Sequence, residues 1–129
     1  MTALDVVALV VGGGLGAGAR YLVDGVVMRG RRGVFPLGIL VVNVSGAFLL
    51  GLLTALAGAV GPVWLAIAGV GVLGGYTTFS TVSVETVLLA QRGRRDWAWL
   101  NLLGTLVLSV VAAALGVLIG GWIDGLLPG

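Results

Sequence analysis

Apolar runs and short polar gaps alternate along the 129 residues in a pattern that leaves four long segments, at about 3–27, 35–58, 63–90 and 97–123. Each exceeds the roughly 20 residues a helix needs to cross the hydrocarbon core. The pattern therefore predicts an all-α membrane protein with four transmembrane helices in a single domain over 1–129. Phe35-Pro36 opens the second segment, and proline is tolerated in a first helical turn. Gly61-Pro62 makes a tight, uncharged connection to the third. Trp97, Trp99 and Trp122 bracket the fourth as interfacial anchors. The first segment is too long and glycine-rich for a signal-peptide core, and it is read as retained. No linker, low-complexity tail or second domain is expected.

The third segment departs from regularity at Gly74-Gly75-Tyr76-Thr77-Thr78-Phe79-Ser80-Thr81. Two glycines and a threonine pair predict a helix broken near its middle, over Gly74–Thr78. Every backbone N–H and C=O in hydrocarbon must find a partner, so a break persists only where it is buried in protein or lines a polar cavity. The carbonyls it frees become candidate ligands, and hard oxygen ligands suit a small hard cation. Glycine, 24 of 129 residues, lies mostly within the segments. In water each such site would weaken a helix by about 1 kcal/mol relative to alanine. In lipid, small residues instead let helix backbones approach closely, as on the face carrying Gly12–Gly14, Gly16 and Gly18 or that carrying Gly38, Gly46 and Gly51. Gly69-Val70-Gly71-Val72-Leu73-Gly74 spells GxGxxG, but it follows no strand, and helix packing accounts for it.

Composition agrees with the pattern: hydrophobic residues make up 59% and charged residues 9%. The absence of His and Cys removes imidazole acid–base chemistry, thiol chemistry and the usual zinc sites. No nucleophile–base pair can be assembled, so no enzyme is expected. All seven basic residues are arginine, and six sit in two short loops: Arg29, Arg31 and Arg32 in one, Arg92, Arg94 and Arg95 in the other. That distribution speaks of membrane topology, not of nucleic acid. The termini and the Gly58–Pro62 connection hold no Arg or Lys, so the arginine loops are expected in the cytoplasm of a plasma-membrane protein, with both termini outside.

A few polar residues interrupt the apolar segments. Asn43 reads either as an interhelical hydrogen bond, worth about 0.6–2 kcal/mol, or as an amide donor to an anion stripped of water. Asn101, Thr105 and Ser109 recur at i, i+4 and i+8 and make one stripe on the fourth segment, which Ser80 and Thr81 are placed to face. Glu85 is an intramembrane carboxylate, a functional candidate by default, or else a solvated residue near the helix end. Arg20 either draws anions into a vestibule or snorkels to the interface. A phenylalanine ring edge carries partial positive charge, so Phe79 is either a core aromatic or an edge-on anion contact.

The words and their order resemble the CrcB/Fluc family of fluoride channels: Gly-Gly-x-Gly-Ala-x-Ala-Arg-Tyr at Gly13–Tyr21, Val42-Asn43-Val44-Ser45-Gly46, and Gly-Gly-x-Thr-Thr-Phe-Ser-Thr at Gly74–Thr81. The resemblance covers nearly the whole chain. It implies an antiparallel dimer, with a structural sodium ion held at its centre by the backbone carbonyls of Gly74 and Thr77 from two subunits. It also implies a fluoride pathway through Asn43, Phe79, Ser80, Thr81, Thr105, Ser109, Glu85 and Arg20. The chain departs from the family pattern at Val82, where a second phenylalanine is usual, and at Asn101, where tyrosine is common.

The expected function is therefore passive fluoride export, with fluoride, membrane lipid and a second subunit as partners. Two rivals are a proton-coupled multidrug exporter, which needs an ionisable residue central in its substrate site where the first segment offers only Asp5 at its edge, and a non-transporting helical subunit. A chain so biased in charge cannot readily supply its own inverted copy, so the expected partner is a homologous subunit of opposite bias, the homodimer being the alternative.

Overall fold

The computed structural model describes residues 1–31 and 35–129; Arg32, one of the expected loop charges, lies outside them. The chain runs through α1 (Ala3–Val27), α2 (Leu37–Ala55), α3 (Ala57–Val60), α4 (Pro62–Leu65), a π-helical segment (Ala66–Leu73), α5 (Gly74–Tyr76), α6 (Ser80–Gln91) and α7 (Arg95–Asp124). Four stretches are long and apolar enough to cross a membrane: Ala3–Val27, Leu37–Ala55, Pro62–Gln91 and Arg95–Asp124. At about 1.5 Å per residue the shortest, α2, spans close to the thickness of a hydrocarbon core.

Local chemistry sets the ends. Thr2 and Asp5 form a capping box on α1, with Asp5 N–H donating to Thr2 Oγ1 at 3.2 Å and Thr2 N–H donating to Asp5 Oδ2 at 2.6 Å. Asp5 is thus a cap and not part of a buried site. At the start of α7, Arg94 pairs with Asp96 at 3.1 Å and lies 3.7 Å over the Trp97 ring. Trp97 meets Phe35 edge to face at 6.0 Å. This aromatic contact brings the chain after the first arginine loop to the one beginning α7, so both loops lie at one end of the bundle.

The packing is backbone on backbone. A Cβ on Gly116 would fall on the Phe48 carbonyl oxygen of α2, and one on Gly16 of α1 would fall on the Val72 carbonyl of the π-helical segment. Large apolar side chains point outward instead, Leu4, Leu15, Leu22, Leu106 and Leu118 among them. Lipid tails are as apolar as leucine, so this inside-out arrangement costs nothing in a bilayer while close contact gains dispersion.

The break overlaps the expected stretch Gly74–Thr78 at Thr77 and Thr78 but starts three residues later. Gly74 and Gly75 remain helical in α5, and the interruption covers 77–79, with Thr77 extended at φ −80° and ψ 157°. Gly75 instead lets α5 press on α1, since a Cβ there would meet the Gly13 carbonyl. Ahead of it the wider π-helical turns carry Gly74 N–H back to the Gly69 carbonyl, an i→i−5 bond.

These contacts separate glycines that pack from glycines that do not. Gly116→Ala should destabilise the folded protein by about 1–3 kcal/mol through overpacking. Gly121→Ala on the same helix, with nothing within 4 Å, should be neutral or raise stability by up to about 1 kcal/mol. Thermal unfolding of the two variants in detergent measures the difference.

Candidate functional site

The site is organised by one side chain that stands in for a stretch of backbone. Asn43 of α2 is buried, 8% exposed, and faces the gap between α5 and α6. Its Nδ2 donates to the Thr78 carbonyl and its Oδ1 accepts the Thr78 N–H, both at 2.8 Å. A carboxamide matches a peptide group in donor and acceptor, so it satisfies both polar groups of a residue that no helix serves. The two readings of Asn43 are not exclusive: after this pairing the second Nδ2 hydrogen remains.

The Thr78 side chain completes the interruption. Its Oγ1 accepts the Thr81 N–H at 3.2 Å, taking one of the orphan donors of α6, and it donates to Thr81 Oγ1 at 3.2 Å. With that single proton committed, the Ser80 hydroxyl, also 3.2 Å away, is the donor to Thr78. Ser80 and Thr81 therefore gather on the Thr78 hydroxyl.

In a continuous helix the Gly74 carbonyl would accept Thr78 N–H and the Thr77 carbonyl would accept Thr81 N–H. Both donors are diverted, the first to Asn43 and the second to the Thr78 hydroxyl. The two carbonyls are thereby released from their usual partners.

A groove of about 640 Å³ opens beside the break, lined by Asn43, Thr77, Thr78, Phe79, Thr105 and Ser109 among mainly apolar neighbours that include Gly74 and Val82. Among the described residues, no ionisable side chain lines it. Thr105 Oγ1 and Ser109 Oγ are buried without a hydrogen-bond partner among the described residues, leaving two spare hydroxyl donors. Phe79 projects its ring, 76% exposed, at the groove edge, whereas Val82 is buried at 3%. Arg20 on α1 and Glu85 on α6 are half-buried and lie outside the groove.

A family model described as "CrcB-like protein, Camphor Resistance (CrcB)" matches residues 7–117. The chain belongs to the CrcB family. It is 52% identical to the fluoride-specific ion channel FluC 1 of Leifsonia xyli subsp. xyli, over 94% of this chain and 90% of that relative. It is 44% identical to the fluoride-specific ion channel FluC of Shewanella amazonensis, over 87% of this chain and 92% of the relative. With the FluC of Rhodospirillum rubrum the identity is 42%, over 93% and 92%. The CrcB match takes in every candidate residue from Arg20 to Ser109 and leaves the Thr2–Asp5 cap outside.

Several residues of this CrcB chain escape a sequence reading. Tyr76 Oη and Ser45 Oγ lie 2.9 Å apart and tie α5 to α2 one turn from the break. The Asp24 carboxyl packs on Gly38 in the first turn of α2, where a Cβ would collide with it, at the positive end of the helix dipole. Thr86 accepts Asn101 Nδ2 at 3.0 Å. An acid within a membrane helix is a signal for Asp24; the partners of the others follow only from the tertiary fold.

If Asn43 holds the break, Asn43→Leu leaves the Thr78 N–H and C=O buried without partners. The expected loss is about 1–3 kcal/mol for each group, read as a lower unfolding temperature, and Asn43→Asp, which keeps an acceptor for Thr78 N–H, should lose less. Equal stability of wild type and Asn43→Leu would contradict this role.

Proposed function

We propose that the chain is one subunit of a fluoride-specific channel that lets accumulated fluoride leave the cell passively. The carrying observation is the groove, where the hydroxyls of Thr105 and Ser109 lack partners and Asn43 keeps one N–H beside the exposed Phe79 ring. Fluoride is small and strongly hydrated, so its path must replace lost water with donors and still release the ion. Neutral N–H, O–H and ring-edge groups meet both needs, where a buried arginine would bind too tightly. The names of its CrcB relatives agree with this reading. The exporter rival requires an ionisable residue in the groove, and none lines it among the described residues. Glu85 and Arg20 take the outer part of the route, as groups that tune how anions approach.

The groove lies open on the surface of a single chain, with Phe79 and Ser80 exposed at mid-span. A second subunit covering it would close the pathway and shield these groups from lipid. We read that assembly as an antiparallel dimer in the plasma membrane, with both termini outside. Gly74 and Thr77 line the same groove, and the chemistry of their freed carbonyls fits a hard cation. Sodium held there by two subunits would neutralise the carbonyl dipoles and fix the paired breaks. Arginines occur in the loops at one end and nowhere in the termini or the opposite connection, so one chain is expected to insert in one orientation. Its partner is then a homologous chain of opposite charge bias, and Val82 fits a subunit that leaves part of the aromatic lining to it.

Reconstitution tests this reading. Vesicles carrying the chain with an oppositely biased homologue should lose fluoride rapidly and chloride at the background rate. The chain alone, with both terminal tags accessible only from outside intact cells, should carry little flux. Comparable fluoride and chloride rates would overturn selectivity, and robust flux from the lone chain would favour a homodimer.

A further inference from the structure

A second cavity, of about 330 Å³, lies between α6 and α7 toward the arginine loops, lined by Thr86, Ala90, Arg95, Ala98, Trp99 and Leu102. Leu102 lines this cavity and the groove alike. Asn101 stands at the partition. It is 1% exposed, and its Nδ2 donates to the Val82 carbonyl at 3.4 Å and to Thr86 Oγ1 at 3.0 Å. Val82 belongs to the groove wall and Thr86 to the wall of the second cavity.

Resting on the channel reading above, we propose that Asn101 is the permeation barrier between the groove and a loop-side anion site headed by Arg95. Along α7, Ser109, Thr105 and Asn101 follow at four-residue steps, and Ala98 and Arg95 continue at three-residue steps, all near one face. The hydroxyls of Thr105 and Ser109 have free protons for an anion. Arg95 has no carboxylate within ion-pair distance among the described residues, since Asp96 is taken by Arg94. Between them Asn101 offers nothing to an anion: both Nδ2 hydrogens are committed to α6, and its one unpartnered atom is the buried Oδ1, an acceptor. The amide cannot be turned over without setting Oδ1 against the Val82 carbonyl, which only accepts, so the surroundings fix its orientation. An anion advances from Thr105 to Arg95 when Asn101 releases Val82 and Thr86 and swings its N–H groups into the seam.

The chain contains no cysteine, so Thr105→Cys introduces a single thiol on the groove side of the barrier. In the reconstituted assembly, a small anionic methanethiosulfonate added on the arginine-loop side should modify this thiol slowly. Adding Asn101→Ser should speed the reaction about tenfold or more, the change expected when one or two such hydrogen bonds leave a barrier. Thr86→Val keeps the packing but removes one of the two acceptors, and it should give an intermediate rate. Fluoride efflux without the cysteine should rise with Asn101→Ser and fall with Asn101→Asp, which loses the donors. Equal modification rates in all three backgrounds, or fast modification with Asn101 intact, would overturn the barrier whatever the flux. If the thiol rates follow the expected order while the assembly passes no fluoride, the barrier stands and the channel reading fails.

Discussion

The structure depends on a side chain replacing backbone. Where the third span opens, the Thr78 peptide groups would face an apolar environment with no helical partner, and Asn43 supplies donor and acceptor in one planar group. Leaving two such groups unpaired in hydrocarbon would cost about 1–3 kcal/mol each, so the interruption and the asparagine require one another. The diverted hydrogen bonds free the carbonyls of Gly74 and Thr77 beside the groove.

Glycine makes the exchange geometrically possible. Gly46 packs under Thr77 and Tyr76, where a Cβ would collide with the Thr77 side chain, and this close approach lets Asn43, one turn earlier on α2, reach the gap. Gly75 seats α5 on α1, and Gly51 and Gly116 seat α2 on α7. The interior polar residues are thereby held between backbones, with the bulk of the apolar side chains left for lipid. Asn43 and Asn101 divide the labour: the first fixes the start of the break to α2, and the second fixes α6 to α7 through Val82 and Thr86.

The four spans were legible because hydropathy over some twenty residues is a strong, additive signal. The neighbourhood of the break was legible too, from the polar cluster at Thr77–Thr81, but its cause was not. Glycine reads as a helix breaker from its behaviour in water, whereas here Gly74 and Gly75 remain helical and Thr77–Phe79 open. What decides is competition for the Thr78 N–H by a residue 35 positions away, and local sequence carries no trace of it. The π-helical segment Ala66–Leu73 is likewise invisible, being uniformly apolar. The stripe on α7 was visible at four-residue spacing, and Thr105 and Ser109 meet Asn43 and Phe79 in one groove. That Asn101 turns to α6 is a tertiary fact, whereas the bonds of Ser80 and Thr81 to Thr78 are local and follow once the helix opens there.

On the function proposed above, the break releases two carbonyls for a cation by surrendering their donors to Asn43 and Thr78. A high-resolution map of the assembled protein in sodium, set beside one in a large organic cation, tests it most directly. The account predicts Thr78 N–H on Asn43 in both maps, with density between the Gly74 and Thr77 carbonyls of two subunits in sodium alone. A continuous helix through 77–79, with Thr78 N–H returned to the Gly74 carbonyl and an empty centre in sodium, would contradict it.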